Sequence, residues 1–232
     1  MPRRKLLVVF SSQDILPATG HPTGWYLPEF AHPYYKLAEH VDITVASPKG
    51  GSAPVDPYSV ESTKDDELSQ RFYSEKKSLF EETLPLASFL GKSGHYHAIF
   101  YVGGHGPMFD LATDITSHAL IREFYENNKI VSAVCHGPAA LVNVKLSDDS
   151  YLVSGNVVTG LSNEEEEILQ FTKVMPFLLE DRLRQHGGEY QKGAAPFTDN
   201  VVESGKENRL ITGQNPPSAA SIGEVLLRRL TT

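Results

Sequence analysis

Short aliphatic and β-branched runs alternate along this chain with longer segments in which apolar residues return every third or fourth position. The first pattern marks buried strands and the second amphipathic helices. Residues 6–10 are apolar without interruption and predict a buried strand. Helical spacing follows over residues 26–40, with Pro28 suited to a first turn and Pro33 expected to kink the helix. Residues 42–46 predict a second strand, closed by Pro48, Gly50 and Gly51. Residues 52–66, rich in Ser, Pro and Asp, read as an excursion over the surface. A helix is expected over 74–90, a third strand over 98–102, and a helix over 114–127 with Leu120, Ile121 and Phe124 on its apolar face. Residues 130–134 predict a fourth strand. Further strand candidates are 151–153 and 157–159, followed by helices over 164–171 and 176–186. Short strands are expected from Tyr190, over 201–203 and over 210–212, the last two as a hairpin around residues 205–208. Residues 218–230 predict a closing helix.

Strand–helix alternation of this kind implies an α/β fold with a largely parallel sheet and helices on both faces. No Pro/Ser-rich linker divides the chain, so one domain is expected over residues 1–232. In such sheets chemistry gathers beyond the carboxyl ends of the strands.

Composition narrows the classes. Hydrophobic residues make up 40% and charged residues 22% of 232 positions, enough for a full core without metal or disulfide support. Lys and Arg number 21 against 29 Asp and Glu, a net charge of −8. With no dense basic block, nucleic acid and anionic lipid are excluded as main partners. No apolar run is long enough to span a bilayer, and the run after Arg3, Arg4 and Lys5 is too short for a signal-peptide core. A single cysteine forms no internal disulfide. A soluble intracellular protein is expected.

Two strand ends carry chemistry. The segment Ala133-Val134-Cys135-His136-Gly137-Pro138-Ala139 places the only cysteine at the end of a β-branched strand, with small residues two positions away on either side and a proline for the next turn. That is the pattern of a nucleophile elbow, a sharp strand-to-helix turn that lifts the central side chain. A helix N-terminus behind it would favour the thiolate. A lone cysteine ending a buried strand is also a common inert hydrophobe, and spacing alone leaves both readings open. The segment Gly103-Gly104-His105-Gly106-Pro107 exposes backbone N–H groups that suit an oxyanion, or forms a plain turn. It matches neither a dinucleotide fingerprint nor a P-loop. Glu29 in a first helical turn and the run from Glu164 to Glu167 have structural accounts. Glu29 complements the helix dipole, and Asn163 with Glu166 forms a capping box. His95 and His97 could ligate a metal on a strand, but no third ligand stands at a recognisable spacing, and no metal is expected.

Taken with Glu29-Phe30-Ala31-His32-Pro33, Phe109-Asp110, Thr159-Gly160 and Thr212-Gly213-Gln214-Asn215-Pro216, these segments resemble the PfpI-like superfamily. Within it they are most similar to the fungal heat-shock-protein-31-like, glutathione-independent glyoxalases (glyoxalase III). The resemblance runs nearly end to end and implies a flavodoxin-like three-layer sandwich. It implies a cofactor-free enzyme that converts methylglyoxal and water to D-lactate through a hemithioacetal on Cys135. By the same resemblance His136 and Glu166 complete the catalytic set, with Glu165 or Glu167 as alternatives to Glu166 should the loop shift by one residue. Glu29 would hydrogen-bond the thiol, and Gly104, His105 and the His136 backbone would form the oxyanion region. The partners it implies are a small 2-oxoaldehyde, misfolded client proteins and a second copy in a homodimer, in the cytoplasm and also the nucleus. The other activities it brings are a holdase chaperone that senses oxidation at Cys135, a protein deglycase and, less in keeping with an enclosed site, a peptidase.

Overall fold

The computed structural model describes residues 3–231. The expectation of one domain over 1–232 also takes in Met1, Pro2 and Thr232, which lie outside the described residues. The strands are β1 (Arg4–Val9), β2 (Val41–Ser47), β3 (Leu84–Pro85), β4 (Ala98–Tyr101), β5 (Ile130–Val134), β6 (Val157–Val158), β7 (Glu189–Tyr190), β8 (Val201–Ser204) and β9 (Leu210–Gly213). Seven of them form one sheet in the order β3-β2-β1-β4-β5-β9-β8, while β6 and β7 pair separately. Every neighbour in the large sheet is parallel except β8 against β9, the expected hairpin.

The helices are α1 (Pro28–Leu37), α2 (Pro57–Ser62), α3 (Glu67–Glu75), α4 (Ser78–Glu81), α5 (Ile115–Glu126), α6 (Asn163–Ile168), α7 (Leu179–Gln185) and α8 (Ala219–Thr231). Period-two alternation along β1 divides the core. Leu7 and Val9 join Leu120, Ile121 and Phe124 of α5 on one face, while Leu6, Val8 and Phe10 join Phe30 of α1 and Ile222 and Leu226 of α8 on the other. Both sheet faces are thereby covered by helices. On the second face α1 and α8 approach closely, because a Cβ at Gly223 would lie 2.9 Å from Pro33 Cα. Pro33 stays inside α1.

Three expectations need correction. The helix over 74–90 is absent: α3 ends at Glu75, α4 is one turn, and β3 follows at Leu84–Pro85. Asp66 starts α3 earlier by accepting the Leu68 N–H at 3.2 Å, and Pro85 lacks the N–H that a continuous helix needs. The surface excursion contains α2, capped by Asp56 through the Tyr58 N–H at 2.8 Å. Residues 151–153 form only a bridge between Lys145 and Tyr151. No helix among the described residues is long and apolar enough to cross a membrane.

Candidate active site

The carboxyl ends of β4 and β5 lie side by side, since Tyr101 is in register with Ala133. Immediately beyond β5, Cys135 has φ 60°, a left-handed conformation costly for a residue with a Cβ and typical of functional turns. Two bonds hold it there: its N–H donates to Gly213 O at 3.0 Å, and its carbonyl accepts the Leu161 N–H at 2.9 Å. The turn works only with small neighbours. A Cβ on Gly137 would collide with Tyr101 O, and one on Gly103 would lie 2.8 Å from Cys135 Cβ. The elbow leads into a single 3-10 turn, Gly137–Ala140, rather than the expected α-helix. The helix-dipole support foreseen for the thiolate is therefore lacking. Burial pushes the thiol up rather than down.

Glu29 sits in the first turn of α1 with no exposure at all. Its carboxyl lies against the Cys135 thiol and the Gly103 N–H, and no fully formed hydrogen bond reaches either oxygen. Burial without a cation raises it well above the ordinary carboxylate range, so the neutral acid is favoured.

His136 also approaches the sulfur, its Nδ1 3.7 Å from Cys135 Sγ. Its Nε2–H donates to Glu166 Oε2 at 2.6 Å, and Glu166 Oε1 accepts from His105 Nε2–H at 3.2 Å. This arrangement assigns the His136 proton to Nε2 and leaves Nδ1 as a base facing the thiol. Burial works to raise Glu166, but the two imidazoles outweigh it and hold the carboxyl well below its usual range. Burial, with His136 beside it, lowers His105, which keeps that ring neutral. His105 also stacks on Phe171 at 4.3 Å between ring centres. His105, His136 and Glu166 are the described residues whose donor atoms converge as a metal would require, within 4.8 Å. Both carboxylate oxygens there already accept imidazole protons.

The acidic run resolves residue by residue, and here the expected capping box is corrected. Ser162, not Asn163, caps α6, and Glu165, not Glu166, is its reciprocal partner. Glu165 accepts from Ser162, Gln214, Asn215 and the Phe197 N–H. Glu167 is exposed. The cap fixes the rotation of the helix so that Glu166, one position on, faces His136.

Above the thiol opens a cavity of about 710 Å³ lined by His21, Tyr26, Asp56, Gly104, His105, Leu161, Ile168, Phe171, Phe197 and Pro216 among others. No Lys or Arg lines it. The Gly104 N–H faces the sulfur and favours its ionised form. Tyr26, Asp56, Phe171 and Phe197 carried no sequence signal, because each reaches the cavity from a separate loop or helix end. Asp110, beside the glycine turn, accepts from Ser11 Oγ at 2.9 Å and the Ser12 N–H at 2.7 Å, tying that turn to the end of β1. His97 is far from this cluster in role, its Nδ1 accepting the Lys5 N–H at 3.1 Å.

Known proteins share this architecture. The model of the DJ-1/PfpI family matches residues 28–229. A glutathione-independent glyoxalase of Schizosaccharomyces pombe is 28% identical over 98% of each chain. Among solved structures, the Rapid Encystment Protein of Francisella tularensis is 32% identical with a TM-score of 0.90, covering 99% of this chain and 100% of that one. Glyoxalase III from Candida albicans is 26% identical with a TM-score of 0.84, covering 98% and 97%.

Proposed function

This chain belongs to the DJ-1/PfpI family, and from that premise we propose that it is a glutathione-independent glyoxalase converting methylglyoxal and water to D-lactate. The observation that carries this reading is the hydrogen-bonded line Cys135–His136–Glu166 at the floor of a largely apolar cavity. A neutral electrophile needs no cationic pocket, and no Lys or Arg stands in the lining to form the strong charged pairs that the carboxylates of glutathione would seek.

Sulfur attacks the aldehyde carbon of methylglyoxal as the thiol gives up its proton, and the resulting alkoxide takes a proton to become a hemithioacetal. The Gly104 and His136 backbone N–H groups stabilise the alkoxide. His136 Nδ1 removes the hydrogen from the former aldehyde carbon, giving an enediol, and returns a proton to the neighbouring carbon. The first carbon is thereby oxidised to a thioester and the second reduced to an alcohol. Water cleaves the thioester, releasing lactate and the thiol. Glu166 holds the imidazole and stabilises its positive form, and protonated Glu29 donates to the sulfur. His105 keeps Glu166 in place from the far side.

Methylglyoxal has five heavy atoms and needs roughly 150 Å³ at ~30 Å³ each, well under the cavity of about 710 Å³. The excess room favours a second use of the same site, on bulkier apolar 2-oxoaldehydes or on a methylglyoxal adduct carried by a protein side chain. Client holding, a homodimer and a cytoplasmic location belong to the same proposal. Holding separates from catalysis, because it survives loss of the thiol. Incubation with methylglyoxal, free of glutathione and metal, tests the reading: lactate should form in proportion to enzyme, and its absence would overturn it.

A further inference from the structure

A second cavity, of about 250 Å³, lies at the opposite end of the sheet, and Arg4, His97, Asn128, Lys129, Ile130, Arg209, Arg229 and Leu230 line it. We propose that this cavity is a binding site for a phosphate dianion, held by Arg4, Lys129, Arg209 and Arg229.

Topology builds the cluster. β1, β4, β5 and β9 are consecutive neighbours in the sheet. Arg4 is the first residue of β1, and His97, Lys129 and Arg209 immediately precede β4, β5 and β9. Four adjacent strand starts thus each bring a basic side chain to one edge, and Arg229 joins them from the last turn of α8. A basic residue at a helix C-terminus complements the dipole and would account for Arg229 alone. It accounts for none of the strand-start residues, which sit together at a cost of mutual repulsion in a chain of net charge −8.

No acidic residue lines the cavity. Its arginines have partners of their own: Glu207 Oε2 is 3.5 Å from Arg209 Nε, Glu203 Oε2 is 4.0 Å from Arg229 Nη1, and Arg229 Nη2 donates to Glu207 O at 2.7 Å. Arg209 is only 5% exposed. It donates from Nη1 to Tyr125 O at 3.0 Å, yet its buried Nε has no hydrogen-bond partner. The Glu207 carboxylate stands near that Nε without a formed hydrogen bond, so the buried guanidinium keeps donor capacity for a second anion. Planar guanidinium forks together with one ammonium suit the tetrahedral oxygens of phosphate. His97 adds a reporter. Its Nδ1 accepts the Lys5 N–H, and burial, then Arg4 and Lys129, lower its basicity. An anion between those cations reverses the last two influences.

The test is calorimetric titration of the full chain with inorganic phosphate, and separately with glycerol phosphate, at ionic strength fixed by chloride. Saturable binding at one site is expected, together with a rise in the apparent pKa of His97 by NMR. Both Arg4→Gln and Lys129→Gln should weaken binding about tenfold, the usual scale for one charged hydrogen-bond partner. Neither residue is buried in the core, so both variants should fold, and methylglyoxal turnover should not change. Tighter binding of glycerol phosphate makes the natural occupant a phosphomonoester, whereas preference for inorganic phosphate makes it the free anion. Either result upholds the site. Absence of saturable binding, or binding that both substitutions leave intact, overturns it.

Discussion

Glu165 and Glu166 are adjacent, both buried and both in the first turn of α6, yet the same substitution should do opposite things to them. Glu166 accepts from two imidazoles, with the shorter bond, 2.6 Å, from His136. Glu166→Gln keeps one oxygen acceptor but loses the charge facing His136. A hydrogen bond to a charged group contributes about 1.5–3 kcal/mol. If that is felt where the imidazolium forms, kcat falls by about 10²-fold, with a smaller loss of stability than at Glu165. Glu165 accepts from Ser162 N–H and Oγ, Gln214 and Asn215 side-chain amides and the Phe197 N–H, at 2.7 to 2.9 Å. An amide there offers one oxygen and turns its NH₂ toward existing donors, leaving at least two of them unpaired. At about 1–3 kcal/mol per orphaned buried group, Glu165→Gln should cost roughly 2–6 kcal/mol of stability while the folded fraction turns over normally. Glu167→Gln, on the exposed side, is the silent control. Urea denaturation and methylglyoxal consumption, run on all three variants, separate the two effects. Full activity in Glu166→Gln, or a stability loss there as large as in Glu165→Gln, would refute the division of roles.

The same contacts set three other outcomes. In the proposed mechanism protonated Glu29 donates to sulfur, so Glu29→Gln should move the pH profile of Cys135 alkylation upward; a downward move would mean that Glu29 carries a negative charge beside the thiol and would reverse its assigned role. Gly103→Ala places a Cβ against Glu29 Oε2 and Val134 O, and should cost about 1–3 kcal/mol together with most of the activity; wild-type turnover in that variant would show that the elbow relaxes freely. The folded Glu166 carboxyl titrates below its unfolded value, so its stabilising contribution is complete above the unfolded value of about 4.3 and disappears as pH falls through the folded one. Accordingly, the stability difference between wild type and Glu166→Gln should be largest near neutrality and close in acid, and a difference that grows in acid would contradict that.

The parallel strands and the elbow were legible in the sequence because each depends on local pattern. Apolar runs make β1, β4 and β5, and only small residues around Cys135 permit its positive φ. The orientation of the acidic helix was harder to read. Ser162 with Glu165 and Asn163 with Glu166 both fit a cap three residues apart, and although serine suits the motif better, the choice rests on Gln214 and Asn215, which reach Glu165 from a turn fifty residues on. The long helix expected over 74–90 failed for a related reason. Its apolar spacing was genuine, but Leu84–Pro85 pairs with β2, and a sheet edge outweighs helical periodicity. The side chain of His105, a residue expected in the oxyanion region, bridges Glu166 and Phe171, contacts made by α6 and the loop after it that no local pattern reveals.

The most direct measurement is methylglyoxal turnover in D₂O without glutathione, comparing wild type with Cys135→Ala and analysing the lactate for chirality and isotope. Cys135→Ala removes only the sulfur from a small side chain and should leave the fold intact. The wild-type enzyme should yield D-lactate, with deuterium at the alcohol carbon to the extent that His136 exchanges its proton with solvent at the enediol stage, and the variant none. Lactate formed at a comparable rate by Cys135→Ala, or no lactate from the wild-type protein, would contradict the account.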